Sequence, residues 1–278
     1  MRNKEEKKMK TLGIIGCGNM GGAILKAVAA SGRFEKQNII VADKNPLTLK
    51  KLDEYGLPQK LYTNAEAAAC DLLLLAIKPQ VLPFVTEEIR GSIDYKKTVI
   101  ISIAPGYTIE KLKSMLNENA RIVRAMPNTP AMVGKGMTAV CVGDNVGDEG
   151  AKAALELLGL TGDTEQVPEG LINAVVGVSG SSPAYVFMMI DALADAAVRY
   201  GMSRPQALHF AAKAVEGSAA LALESGLHPG QLKDMVCSPA GTTIEAVAVL
   251  EKEGFRNAVI AAASVASEKS AQMGGKKD

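Results

Sequence analysis

Tryptophan is absent, and six tyrosines with five phenylalanines leave aromatics at only 4% of the 278 residues. A surface built to stack nucleobases draws on more aromatic faces than that. Histidine is scarcer still, at two residues, and the four cysteines (Cys17, Cys70, Cys141, Cys237) are widely spaced with no CxxC pair. This pattern excludes a His/Cys metal centre and a disulfide framework, so no metal is expected, and a reducing, cytoplasmic setting fits best. Charge of one sign is lacking too: the net charge of +1 gives no electrostatic reason to expect nucleic acid. No uninterrupted apolar run reaches membrane-spanning length. The best candidate, Ala184–Val198, is broken by Asp191 and Asp195 and reads as a buried helix of a soluble protein. Residues 1–10 are charged and carry no apolar core; they read as a frayed extension and not as a secretory signal.

What is present begins with Thr11-Leu-Gly-Ile-Ile-Gly-Cys-Gly-Asn-Met-Gly-Gly-Ala23. Leu12, Ile14 and Ile15 form an apolar, β-branched run of the kind that makes a buried strand. Gly16-x-Gly18-x-x-Gly21 then turns the chain into a helix beginning near Met20. Gly16 serves the tight turn, Gly18 leaves room for a pyrophosphate, and Gly21 lets helix and strand pack closely. Unpaired N–H groups and a partial positive charge at the helix start suit a phosphate. An acidic residue, Asp43, closes a second strand, Asn38–Ala42, at the right distance for a dinucleotide fingerprint. The loop residues Gly16, Cys17, Gly18, Asn19, Met20 and Gly21 are therefore expected at the cofactor, with Cys17 not catalytic but placed where oxidation would block binding.

Strands and helices then alternate. Pro46–Tyr55 is expected as a helix, Leu61–Thr63 as a short strand and Ala65–Ala69 as a helix. Asp71–Lys78 is a near-continuous apolar run, the mark of a central parallel strand covered on both faces. A helix through Val81–Ile89, strand Thr98–Ile103, helix Thr108–Leu116, strand Ala120–Met126, strand Gly136–Gly143 and helix Asp148–Leu158 follow. The alternation predicts an α/β fold, a Rossmann-like doubly wound parallel sheet over residues 11–162. Ligands of such sheets lie outside the carboxyl ends of the strands. The residues to question are thus Gly16–Asn19, Asp43 and Lys44, Ala76-Ile77-Lys78-Pro79, Ala104 and Met126–Thr129, with Asn64 added to the cofactor set.

Past Gly162–Pro168 the chain turns Ala-rich with helical spacing, predicting an all-helical second domain over residues 163–278. Helices are expected at Glu169–Val176, Pro183–Tyr200, Pro205–Leu223, Gln231–Met235, Thr243–Lys252 and Phe255–Gln272. Pro183–Tyr200 has only a narrow polar stripe, Asp191, Asp195 and Arg199, so it must be covered on most sides. One chain's short helices are too few for that, and a dimer through this domain is expected. Thr242-x-x-Glu245 has the form of a capping box, which accounts for one threonine but not for Thr243 or the lead Ser238-Pro-Ala-Gly241. A helix start can also hold a carboxylate, and the Thr243 hydroxyl offers one further hydrogen bond. Ser179-Gly-Ser181-Ser-Pro183 supplies a second helix start of the same kind. His209 is expected on a packed helix face, and His228, before Pro229, in a structural turn.

These motifs together, GCGNMG, Ala76-Ile-Lys-Pro79, Arg124-Ala-Met-Pro-Asn-Thr-Pro130, Ser179–Tyr185, His228–Asp234 and Ser238–Ala246, resemble those of pyrroline-5-carboxylate reductases from about Leu12 to Ala271. Two positions depart: Ala240-Gly241 stands where the family usually has two glycines, and Ser182 replaces the second glycine of its SGSGPAY loop. The resemblance implies reduction of L-1-pyrroline-5-carboxylate to L-proline with NADPH or NADH, a helical domain that dimerises by interleaving, and an active site between the domains. It implies that Thr243 Oγ bonds the substrate ring nitrogen as the catalytic contact. Gly241, Thr242, Ser181 and Asn128 would join Thr243 around a small-molecule substrate, and Lys78 would lie at the cofactor. Cofactor preference stays open: Asp43 favours a ribose hydroxyl and repels a 2′-phosphate, while Lys44 and Asn45 offer compensation. The expected assembly is a homodimer, with a larger homo-oligomer left open. Two other readings stand beside this one, an imine reductase of another substrate and a non-catalytic nucleotide sensor. A β-hydroxy-acid dehydrogenase would want a lysine in Pro183–Tyr200, which has none.

Overall fold

Strand β1 (Leu12–Ile15) is buried at every residue because it lies between two parallel neighbours, β2 (Ile39–Ala42) and β3 (Leu72–Leu75). This computed structural model describes residues 10–275, so the extension expected at residues 1–10 lies, apart from Lys10, outside the described residues. The sheet continues in parallel through β4 (Val99–Ser102) and β5 (Arg121–Met126). Side chains alternate across it. Leu12, Ile14, Leu72 and Leu74 pack with α1 (Asn19–Ser31), α2 (Thr48–Glu54) and α6 (Gly147–Leu158). Ile15, Leu73 and Leu75 face α3 (Asn64–Ala68), α4 (Leu82–Ile89) and α5 (Ile109–Met115). Burial on both faces is what the unbroken apolar runs required, and each fully buried leucine contributes roughly 1.5–3 kcal/mol.

The expected all-parallel sheet is corrected at its far edge. β6 (Gly136–Val142) runs antiparallel to β5, and β7 (Gly162–Gln166) pairs in parallel with β6. The cause is the connection after β5. Thr129–Val133 is a 3-10 turn ending at left-handed Gly134, and so short a link cannot carry the crossover that parallel pairing needs. Strand β7 itself was not expected: its Asp163, Glu165 and Gln166 are exposed on the sheet edge, so it carries no apolar signal. The order β2-β1-β3-β4-β5-β6-β7 reverses its winding between β1 and β3. Leu61–Thr63 forms no strand. Tyr62 N–H donates to Val41 C=O at 2.9 Å, and Thr63 caps α3 in a reciprocal box with Glu66.

The chain divides into two compact units, residues 1–180 with 266–278, and Ser181–Val265. The division expected after residue 162 would cut β7 at its first residue. Instead the first unit runs on through α7 (Ile172–Val175) and a π-turn, Val176–Gly180, and takes in the end of the last helix, where buried Ser270 donates to Asn173 at 2.8 Å.

The second unit is helical: α8 (Ser182–Arg199), α9 (Arg204–Ser225), α10 (Pro229–Val236), α11 (Thr242–Lys252) and the first part of α12 (Phe255–Gly275). α8 packs along α9, and Tyr185 OH donates to Ala262 C=O at 3.4 Å. Within the single chain α8 buries only Ala194, in line with the expectation that one chain's helices are too few to cover it. Phe187, Met188, Phe210, Leu223 and Ile260 are all more than half exposed. The helical run from Glu169 to Arg199 is also long and apolar enough, by length and composition only, to cross a membrane, one 18-residue window in it having mean hydropathy 1.3. His209 is likewise exposed, edge-on to the Phe210 ring, and not on a packed face. His228 is structural as expected: its Nδ1 caps α10 by accepting from Gly230 N–H.

Candidate active site

The glycine loop leaves β1 at Gly16, whose φ of +94° puts it in the region that favours glycine. Its N–H donates to Ala42 C=O at 2.8 Å. A Cβ on Gly21 would lie 2.1 Å from Gly16 O and 2.9 Å from Ala76 Cβ, so this glycine is required by the close packing of α1 on the strands. A Cβ on Gly18 would meet nothing within 4 Å. The protein has no packing reason for a glycine there, and the open space over it is where a ligand would approach. Gly18 is also the N-cap of α1, no side chain caps this helix, and no acidic residue sits in its first turn. Its first amides thus lack a side-chain acceptor, the arrangement that binds a phosphate. The residues present fit a dinucleotide.

The loop is held from below by two charged side chains. Asp43 Oδ2 accepts from Cys17 N–H at 2.5 Å, and Oδ1 accepts from Asn45 N–H at 2.7 Å. Lys51 Nζ donates to Cys17 C=O at 2.8 Å. Asp43, expected on a ribose, here braces the loop; Lys44 beside it is exposed. The Cys17 thiol is 2% exposed. Burial, and then the Asp43 carboxylate, push it up to about 12 against the opposing Lys51 ammonium. A thiol held protonated and covered is unreactive, which corrects the expectation that its oxidation would block the site. Lys51 itself was missed by sequence reasoning, because Lys50 and Lys51 are indistinguishable there.

The other strand ends gather on the same edge of the sheet. Ala76 N–H donates to Ile15 C=O at 2.9 Å. Ile77 reaches back towards the loop, its Cγ2 standing 2.8 Å from where a Gly16 Cβ would be. Lys78 is exposed, Pro79 C=O accepts from Tyr107 OH at 3.0 Å, and Ala104 is buried just past β4. Asn64 opens α3 and donates to Glu88 at 2.9 Å. Asn128, just past β5, uses both ends of its amide. Nδ2 donates to Ser179 Oγ at 3.1 Å and to Ser179 C=O at 3.3 Å, and Oδ1 accepts from Met137 N–H at 2.9 Å. It thereby ties the β6 start to the π-turn, a feature that concentrates at functional sites. Arg124 is buried and pairs with Glu169 at 2.9 Å, so this member of the strand motif is structural.

Ser181, Gly241, Thr242 and Thr243 belong to the second unit. Ser181 is the N-cap of α8 without a side-chain cap bond. Ser238–Gly241 is a turn closed by Gly241 N–H on Ser238 C=O at 3.0 Å. Pro239 and left-handed Ala240 (φ +55°) fill its central positions, the type II pattern that prefers glycine at the second. The expected capping box is not formed. Gly241, not Thr242, is the N-cap of α11, and no side chain caps the helix, because the turn starts the helix one residue early. The first amides of α11 thus lack a side-chain acceptor beside the Thr242 and Thr243 hydroxyls, a setting for an anionic group.

A glycine loop opening onto an uncapped helix, at the winding reversal of this sheet, defines a Rossmann-type dinucleotide-binding protein. Residues 169–273 match the family model for pyrroline-5-carboxylate reductase dimerisation, and residues 11–106 match one described as NADP oxidoreductase, coenzyme F420-dependent. The chain is 48% identical over 265 residues to the pyrroline-5-carboxylate reductase of Escherichia coli, covering 95% of this chain and 98% of that one. It is 42% identical to that of Methanosarcina acetivorans, covering 95% and 98%. A crystal structure of Plasmodium falciparum pyrroline carboxylate reductase with NADP bound is 30% identical, with a TM-score of 0.86 over 96% of this chain and 99% of that chain. The chain belongs to the pyrroline-5-carboxylate reductase family.

Proposed function

We propose that this protein reduces the cyclic imine L-1-pyrroline-5-carboxylate to L-proline, the last step of proline biosynthesis, with NADPH or NADH. The observation that carries this reading is that a chain 48% identical to a relative of that name has both an open, uncapped phosphate loop and, in its other unit, an uncapped helix start that bears two threonines. When bound, the reduced nicotinamide supplies the hydride. The chain's own residues bind and orient. The amides of Gly18, Asn19 and Met20 take the pyrophosphate, and Asp43 and Lys44 stand at the adenosine ribose. Ala76–Pro79, Ala104 and Asn64 line the cofactor. The amides following Gly241 take the substrate carboxylate, with Thr242 and Ser181 beside it. Thr243 Oγ bonds the ring nitrogen, which fixes the imine carbon for attack; such orientation supplies several kcal/mol of barrier lowering. Asn128 positions Ser179 through the bonds described above.

The exposed apolar faces of α8, α9 and α12, together with the dimerisation model matched over residues 169–273, support a homodimer in which a second copy covers them. Cys17, Cys70, Cys141 and Cys237 are all free thiols, as a reducing, cytoplasmic setting would leave them. The test is oxidation of NADPH and of NADH in the presence of pyrroline-5-carboxylate, with proline identified as product. Binding of both nucleotides without turnover would instead favour a nucleotide sensor.

A further inference from the structure

Residue 17 of the phosphate loop is gripped at both ends by opposite charges. Asp43 takes its N–H and Lys51 holds its C=O. Lys51 is aimed there by the register of α2. Leu52 is buried in the core and Leu49 packs against it, Lys50 points to solvent, and Lys51 is half-buried beneath the loop. Its path crosses Gly22, where a Cβ would stand 3.3 Å from both Lys51 Nζ and Cys17 O. The glycine thus leaves a slot through which the ammonium reaches the carbonyl.

We infer that Lys51 is a positioning residue for dinucleotide binding. By fixing Cys17 C=O while Asp43 fixes Cys17 N–H, it turns the following amides, Gly18, Asn19 and Met20, outward as a preformed anion cradle. Without the ammonium the carbonyl must find water, the loop gains alternative conformations, and binding bears the cost of ordering it. Lys51 touches the loop and not the ligand, so its effect falls on cofactor affinity and not on the chemical step.

The inference rests on the dinucleotide reading above, and the test separates the two. NADPH and NADH are titrated onto wild type, Lys51→Met and Lys51→Arg, followed by steady-state kinetics. Lys51→Met is expected to raise Kd for both dinucleotides by about tenfold, the loss of one charge-assisted hydrogen bond. The kcat at saturating cofactor stays within about twofold and the imine KM is unmoved. Lys51→Arg, which keeps a donor and the charge, recovers most of the affinity. A loss confined to NADPH would overturn the inference, since it would make Lys51 a direct 2′-phosphate contact. Unchanged affinity for both would also overturn it, as would a fall in kcat matching the rise in Kd. Wild type that binds neither dinucleotide would overturn the functional reading itself.

Discussion

Substituting alanine at Gly18 and at Gly21 separates ligand space from packing space within one loop. At Gly18 the new methyl meets nothing in the protein within 4 Å, and the backbone, φ −61° and ψ −157°, is extended and open to alanine. Two small stability effects oppose each other there. Alanine is a poorer N-cap than glycine by roughly 0.5–1 kcal/mol, and it restricts the unfolded chain by about 0.4–1 kcal/mol. Folding stability is therefore expected to change by less than about 0.5 kcal/mol. At Gly21 the methyl would sit 2.1 Å from Gly16 O and 2.9 Å from Ala76 Cβ. Neither neighbour is the end of a flexible side chain, so helix and strand must part, at about 1–3 kcal/mol. For a chain of this size that lowers Tm by roughly 2–4 °C per kcal/mol. Affinity should show the reverse order of interest. Gly18→Ala fills the space a pyrophosphate needs and is expected to weaken NADPH binding at least about tenfold while Tm holds. Paired thermal melts and NADPH titrations read both quantities. A Gly18→Ala protein that melts normally and binds NADPH as wild type does would refute the placement of the pyrophosphate over this loop.

The remaining expectations concern the second unit and the base of the sheet. Ala240→Gly relieves a left-handed alanine and is expected to raise stability by roughly 0.5–1 kcal/mol, read as a higher urea midpoint; a lower midpoint would show that the turn carries no strain there. Thr243→Ala is expected to cut kcat/KM by roughly ten- to a hundredfold with Thr243→Ser restoring most of it, and an unchanged kcat/KM would remove Thr243 from the reacting nitrogen. Asp71 accepts from Lys10 N–H and Thr11 N–H and pairs with Lys97 at 2.5 Å. Burial pushes this carboxyl up, but the Lys97 ammonium and the backbone amides outweigh it and hold it below the ordinary carboxylate value. A group depressed on folding stabilises above its unfolded pKa of about 3.9 and loses that contribution as pH falls through the lower folded value. Wild type should therefore lose more stability than Asp71→Asn between neutral pH and the acid limb, and parallel Tm–pH curves for the two would refute the role.

Much of the first unit was determined by local pattern. Leu72–Leu75 and Val99–Ser102 could bury unbroken apolar runs only as inner parallel strands, and Gly16-x-Gly18-x-x-Gly21 dictated the turn and the helix start that follow. The start of α11 was legible as a turn into a helix from its Ser-Pro-Ala-Gly-Thr-Thr order, although not which residue would cap the helix. Tertiary structure decided whatever depends on neighbours distant in the chain. The direction of β6 follows from how little chain links it to β5, and polar β7 exists only because β6 offers an edge to pair with. Asn128 and Ser179 are brought together across 51 positions. Lys51 and Lys50 are the same residue to any local reading, and the register of α2 against the core chooses which one reaches the loop. Apolar periodicity states that a face must be covered, and for the inner strands the chain covers it; for α8 the chain leaves it bare. Hydrophobic pattern is local, whereas the partner of a polar or apolar surface is set by long-range packing, which no single segment encodes.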